Sequence, residues 1–159
     1  MSKYRSEVFW GVLFIVVMLI WMFFEKLMGW HDVNIDKHAS YTNFFAIIAV
    51  LVYVVALLDI RKKKYGGSIS WKEGFFSGLI ITIVAALLSP LAQYISLEVI
   101  SPEYFRNAID YAVKNNLKTT EEAEAYFNLQ SYVLMAFPFA IITGVITSAV
   151  VAVFVRNKK

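Results

Sequence analysis

The 159-residue chain contains no cysteine and few charged residues, and both shortages exclude whole classes of protein. Without cysteine there is no disulfide framework, no thiolate metal site and no cysteine nucleophile. Charged residues make up 17% of the chain and hydrophobic residues 59%. In an ordinary soluble domain about 25% of residues are charged and about 45–50% are apolar. A short chain has too much surface for its volume to bury this excess internally. The composition therefore predicts an integral membrane protein.

The apolar residues are concentrated in four runs, over 8–24, 39–58, 74–97 and 131–155, and none of these contains Asp, Glu, Lys, Arg or His. About 20 apolar residues span the hydrocarbon of a bilayer, and the backbone must be helical there because lipid offers it no hydrogen bonds. We predict an all-α, four-transmembrane-helix bundle forming one domain over 1–159, with spans at about 8–28, 41–60, 72–97 and 131–155.

The segments outside the spans differ in charge. Residues 1–7, 59–73 and 156–159 together carry ten basic and three acidic residues, whereas 25–38 and 98–130 carry five basic and nine acidic residues. The positive-inside rule places the basic side in the cytoplasm, with both termini. The strongest determinant is a basic run that we expect to orient the chain and contact lipid headgroups, formed by Arg61, Lys62, Lys63 and Lys64.

Small residues recur at four-residue spacing in the third and fourth spans, so each set lies on one helix face. Small side chains allow close backbone approach, which favours helix packing in membranes. We therefore predict that these two faces pack on each other. The third-span set is Gly74, Gly78, Thr82 and Ala86, and the fourth-span set is Ala136, Ala140, Gly144, Ser148 and Ala152.

The connection over 101–130 has the pattern of an amphipathic helical hairpin. Ser101 followed by Pro102 predicts an N-cap and the first helical turn. Thr119 and Glu122 match a capping box that begins a second helix, which we expect to run into the last span. We predict that this extracytoplasmic hairpin rests at the membrane surface and covers the bundle.

A search for a chemical site gives only weak candidates. The sequence contains no zinc-helix motif, phosphate-binding loop, nucleophile elbow or dinucleotide fingerprint. His31 and His38, with Asp32 and Asp36 nearby, offer residue types that bind divalent metals. Their spacing matches no strong motif, and loops commonly contain such residues, so we predict a solvated loop, no catalytic residue, no metal and no cofactor.

Several short motifs in the second half carry a resemblance to a known family. They are the turn over 67–70, glycines at Gly74 and Gly78, the segment over 100–104 and a lysine-rich tail after the span that contains Gly144. With them the chain resembles a family of small four-span bacterial membrane proteins classed as a domain of unknown function. The resemblance implies a bacterial inner-membrane location and a four-helix layout. It implies no activity and no catalytic residues.

Three hypotheses for function follow. The first is a non-enzymatic accessory, assembly or scaffold protein that contacts membrane lipids and a membrane-protein partner or further copies of itself, without nucleic acid. The second is a small transporter or channel acting as an oligomer, with a polar seam formed by Thr82, Ser89, Gln93, Thr143, Thr147 and Ser148. The third, and least favoured, is a lipid-modifying enzyme that uses the histidines. We expect the first.

Overall fold

The computed structural model describes residues 3–157, and within that range the chain forms α-helices and no β-strand. The basic tail residues Lys158 and Lys159 lie outside the described residues. In chain order the helices are α1 (Arg5–Leu27), α2 (Ile35–Tyr41), α3 (Phe45–Lys63), α4 (Trp71–Tyr94), α5 (Tyr104–Lys114), α6 (Thr120–Tyr126) and α7 (Leu129–Val155). A 3₁₀ turn (Thr42–Phe44) joins α2 to α3, and a π-helical segment (Ile95–Ile100) extends α4.

Four helical stretches are long and apolar enough to cross a membrane, namely Arg5–Leu27, Ile35–Lys63, Trp71–Ile100 and Leu129–Val155. The predicted all-α, four-span fold is confirmed, and the protein is a multi-pass membrane protein. The second stretch begins earlier than the predicted span, because α2 and the 3₁₀ turn continue α3 without a break.

The four long helices run alternately up and down. Helices α1 and α4 begin at one end of the bundle, where α3 and α7 end; we name this end the terminal face. The opposite end carries α2, α5 and α6, and we name it the hairpin face. A core beside the terminal face packs α3 residues such as Leu57 and Ile60 against Ile81 of α4 and Val151 of α7.

Helices α4 and α7 approach most closely in the half of the bundle beside the terminal face. A Cβ atom added to Gly78 would lie 2.7 Å from Ser148, and one added to Gly144 would overlap Thr82. Gly74 faces Ala152 in the same way. A side chain at Gly78 or Gly144 would force the helices apart, which explains why these positions of the stripe are glycine.

Helix α1 packs on α4 through its own small residue. A Cβ on Gly11 would lie 2.6 Å from the Cβ of Val84. The opposite face of α1 is exposed and apolar, with Phe9, Val16 and Phe23 among its residues. That face has the composition of a surface in contact with lipid.

The hairpin differs from the prediction at both ends. Helix α5 begins at Tyr104 and its N-cap position is Glu103, so Ser101 is not the cap; its hydroxyl group contacts His31 instead. Thr119 and Glu122 do form the predicted capping box of α6. Helix α6 does not run into α7, because the Asn128 side chain accepts a hydrogen bond from Ser131 N and starts α7 separately.

Helix α5 covers the hairpin face of the bundle. Its Tyr104, Ala108 and Ala112 are buried at four-residue spacing. Tyr104 and Ala108 pack in a cluster with Leu97, and Ile35 and Tyr132 contact the same cluster. This cover fixes the residues that follow α1 and α4, and these residues form the site described next.

Candidate functional site

A cleft of about 410 Å³ opens between α1, α3, α4 and α7 in the hairpin half of the bundle. Its walls are mainly apolar and include Phe14, Met18, Phe45 and Phe139. Thr42, Ser89, Gln93, Thr143 and Thr147 contribute polar groups. The cleft is therefore a largely apolar space with polar groups at separate points, as is common in ligand pockets.

The cleft is closed towards the terminal face by a hydrogen-bonded group of buried side chains. The Tyr53 hydroxyl lies 2.8 Å from Thr82 Oγ1, and Thr82 Oγ1 lies 3.2 Å from Ser148 Oγ. Thr82 and Ser148 are fully buried and do not line the cleft. Four of the six residues of the predicted polar seam therefore line the cleft, whereas Thr82 and Ser148 lie behind Tyr53 at its floor.

The residues predicted to pack α4 against α7 also fall into two groups, one at the helix contact and one in the cleft. Gly74, Gly78, Thr82, Gly144 and Ser148 meet across the contact between α4 and α7. Ala86 is buried. Ala136 and Ala140 line the cleft instead.

A smaller cavity of about 170 Å³ lies beside the cleft on the hairpin side. Glu25 and Gln93 line both cavities, so the two spaces are adjacent. The smaller cavity is also lined by His31, His38 and Tyr104. The cleft therefore ends at Glu25 and Gln93, and the adjoining smaller cavity adds two imidazoles and a phenol.

Glu25, His31 and His38 form one compact cluster. Glu25 is only 1% exposed in the last turn of α1, and His31 is 4% exposed in the following loop. His31 Nε2 lies 3.3 Å, and His38 Nε2 3.9 Å, from the same oxygen, Glu25 Oε2. One ligand atom from each of the three residues lies within 4.8 Å of the other two. These are atoms that could hold a divalent metal.

The remaining polar atoms of the cluster form hydrogen bonds with neighbouring side chains. Trp21 Nε1 donates to Glu25 Oε1 at 2.8 Å, His31 Nδ1 lies 2.6 Å from Ser101 Oγ, and His38 Nδ1 lies 3.3 Å from the Tyr104 hydroxyl. Burial, followed by the nearby Tyr132, raises the pKa of Tyr104, so its phenol stays protonated at neutral pH.

The π-helical segment positions Ser101. Such segments are rare and often occur at functional sites. The Ser101 backbone N–H donates to Ser96 O at 2.9 Å at the end of this segment. Ser101 is 1% exposed and is absent from the lining of both cavities, so it lies behind His31 as seen from the cavity.

The predicted solvated loop is wrong for His31, which is buried, and for His38, which contacts Tyr104. Asp32 and Asp36 are not part of the cluster; Asp32 instead pairs with Lys26 at 3.7 Å. Sequence reasoning missed Glu25, which directly follows the first apolar run. A signal was present, since Trp21 and Glu25 are four residues apart and share one helix face.

The four residues of the basic run at the end of α3 have different surroundings. Arg61 Nη1 donates to Val155 O at 3.0 Å, Lys63 pairs with Asp59 at 2.9 Å, and Lys64 pairs with the fully buried Glu7. Lys62 is exposed. Arg61 and Lys64 thus have partners within the bundle, and headgroup contacts of the four basic residues stay a prediction.

Fold and site together define a small multi-pass membrane protein with an apolar cleft that ends in a buried histidine–carboxylate cluster. The chain belongs to the family described as "Protein of unknown function (DUF4199)", whose model matches residues 9–157. The family resemblance predicted from the second half is confirmed, and the match extends to nearly the whole chain. No curated protein and no solved structure matches the chain.

Proposed function

We propose that this protein acts by binding rather than by catalysis, as a non-enzymatic accessory protein of the bacterial inner membrane whose cleft holds an amphipathic guest such as a lipid. The observation that carries the proposal is the cleft of about 410 Å³, with apolar walls and a polar end. A lipid has the matching shape, because its acyl chain is apolar and its headgroup is polar.

The position of Ser101 supports the non-enzymatic part of the proposal. A serine next to a histidine and a carboxylate is the composition of a hydrolytic triad. Here the Ser101 hydroxyl is buried behind His31 and lines neither cavity. A guest in the cleft would have no access to it, so we assign Ser101 a positioning role.

A transporter or channel acting as an oligomer is the second candidate, since Ser89, Gln93, Thr143 and Thr147 line the cleft. Beyond its floor, the side chains of Leu57, Ile60 and Ile81 are fully buried in an apolar core. In the part of the chain that the structure describes, this apolar core lies between the cleft and the terminal face. Transport would need a rearrangement or a path between copies.

The test is to identify what the purified protein carries. The protein is extracted in a mild detergent, and native mass spectrometry with lipid extraction identifies bound lipid, foreign subunits and the number of copies. We expect a lipid that persists through delipidating washes in the wild type and is lost in Ala140→Trp, which fills the cleft. Leu134→Trp is the matched control, because Leu134 lies on the exposed face of α7 and should leave the guest bound.

A wild-type protein that retains no more lipid than Ala140→Trp would refute the guest. A stoichiometric foreign subunit would support the accessory role, whereas solute flux in proteoliposomes that Ala140→Trp abolishes would favour the transporter.

A further inference from the structure

The two histidines and the carboxylate at the hairpin face converge through particular atoms. Both imidazoles direct Nε2 towards one oxygen, Glu25 Oε2, at 3.3 and 3.9 Å. The three residues come from different elements: the end of α1, the following loop and α2. An arrangement of this kind requires explanation, since His31 and Glu25 are almost completely buried.

We propose that Glu25, His31 and His38 bind a divalent transition-metal ion, with Zn²⁺ as its representative. His31 and His38 would coordinate through Nε2 and Glu25 through Oε2. Two histidines and a glutamate are a known protein ligand set for zinc, in which a further position is left open. The cavity of about 170 Å³ beside the three residues has room for a water molecule or another ligand at that position.

The spacing of the ligand atoms suits such an ion. Bonds of about 2.0–2.1 Å in a tetrahedral site separate neighbouring ligand atoms by about 3.4 Å. The observed 3.3 Å between His31 Nε2 and Glu25 Oε2 already equals this separation. His38 Nε2 lies 3.9 Å from Glu25 Oε2, and the three ligand atoms lie within 4.8 Å of one another, so His38 must move inward to bind the ion. It is the most exposed of the three side chains and has the freedom to do so.

The surrounding hydrogen bonds orient all three ligands for metal. A histidine that binds metal through Nε2 carries its proton on Nδ1 and donates it to an oxygen. Ser101 Oγ and the Tyr104 hydroxyl lie at 2.6 and 3.3 Å from the two Nδ1 atoms, in position to accept. Trp21 occupies the other Glu25 oxygen, which leaves Oε2 for the ion.

Charge gives an independent reason. Buried carboxylates are stable only when they are paired or bind a metal. Among the described residues, the ion pairs of Glu25 involve only the two histidines, and no lysine or arginine. A divalent cation would compensate the buried charge while both imidazoles stay neutral. This inference does not depend on a guest in the cleft.

The experiment uses the full chain with a tag that contains no histidine, since a polyhistidine tag would bind zinc. The protein is stripped with a chelator in detergent and dialysed against Zn²⁺, and the bound zinc is measured by atomic emission. We expect one zinc ion per chain and a higher apparent melting temperature with zinc. His38→Gln and Glu25→Gln should weaken binding at least ten-fold. Glu7→Gln, which changes the other fully buried carboxylate of α1, should bind as the wild type does.

Ser101→Ala provides a further readout. It removes the hydroxyl that orients His31 but no ligand, so it should keep the stoichiometry and lower the affinity by about 10–100-fold. The helical content and melting temperature of each zinc-free variant show whether it is folded. If Glu25→Gln does not fold, the zinc affinity of His38→Gln decides the test. A wild type that binds no zinc, or ligand variants that bind as much as the wild type, would leave a plain histidine–carboxylate ion pair and overturn the proposal.

Discussion

A fully buried carboxylate lies near each end of α1, and the two are compensated in different ways. Glu25 faces two histidines at the hairpin face, whereas Glu7 pairs with Lys64 and accepts a hydrogen bond from Ser77 Oγ at 3.1 Å at the terminal face. Burial alone would lower the pKa of Lys64, but the hydrogen bond and charge of Glu7 raise it overall. Lys64 is therefore charged at neutral pH and balances Glu7.

Removing Lys64 while keeping Glu7 should destabilise the protein. Lys64→Met leaves the buried carboxylate without a charged partner, which costs roughly 3–5 kcal/mol. Because folding raises the pKa of Lys64, the pair contributes fully below the ordinary lysine value of 10.5 and is lost as pH rises through the higher folded value. Chemical unfolding in one detergent should therefore show a constant deficit from neutral to mildly alkaline pH, which shrinks in strong alkali.

The control for this prediction is the double variant Glu7→Gln with Lys64→Met. It contains no buried charge at this position, so it should recover most of the stability lost in Lys64→Met. Equal stability of the wild type and Lys64→Met at neutral pH would contradict the assignment and show that Glu7 is compensated by other groups.

At the scale of whole helices, close contact between α4 and α7 depends on Gly78 and Gly144, in the half of the bundle beside the terminal face. Gly144→Leu would place a large side chain where even a Cβ overlaps Thr82. Overpacking of this kind costs about 1–3 kcal/mol. Ala140→Leu, one helical turn away on the same stripe, points into the cleft and should change stability by less than about 0.5 kcal/mol.

Apparent melting temperatures in a single detergent would test this contrast. Equal effects of the two substitutions would mean that α4 and α7 are packed uniformly along their length, in conflict with the cleft. The pair separates close packing from hydrophobicity, because both variants add the same leucine to the same helix.

The sequence predicted those features of the elements that depend on short spacing. The four spans follow from runs of apolar residues, and the α4–α7 contact at Gly78 and Gly144 follows from four-residue periodicity. The cluster around Glu25 depends instead on contacts between distant positions. His31 meets Ser101 across 70 residues, and Tyr104 meets His38 across 66. No local pattern encodes such pairings, so the histidines resembled residues of an ordinary loop.

The same reason explains why the partners of Ser101 and of the basic run could not be predicted. Serine before proline is a frequent helix start, and the pattern could not reveal that the π-helical segment turns Ser101 towards His31. Four consecutive basic residues resemble a headgroup-binding run, yet two of them bond to Glu7 and to Val155 O, which lie 57 and 94 residues away. In both cases the partner lies far along the chain, where no local pattern indicates it.

For the whole molecule, the question is which face meets the cytoplasm. The terminal face carries the basic run over 61–64, and the hairpin face carries the acidic residues of α6. The positive-inside rule therefore predicts a cytoplasmic terminal face. The cluster of Glu25, His31 and His38 and the polar end of the cleft would then lie towards the extracytoplasmic side.

Because the chain has no cysteine, single cysteine variants give an unambiguous test of this orientation. Lys62→Cys and Glu121→Cys place a thiol at exposed positions of the terminal and hairpin faces. In intact bacterial cells whose outer barrier admits an impermeant thiol reagent, we expect Glu121→Cys to react and Lys62→Cys to react only after the inner membrane is permeabilised, while the wild type stays unlabelled. The reverse pattern would put the cluster in the cytoplasm, where any metal ion would have to come from the cytoplasmic pool.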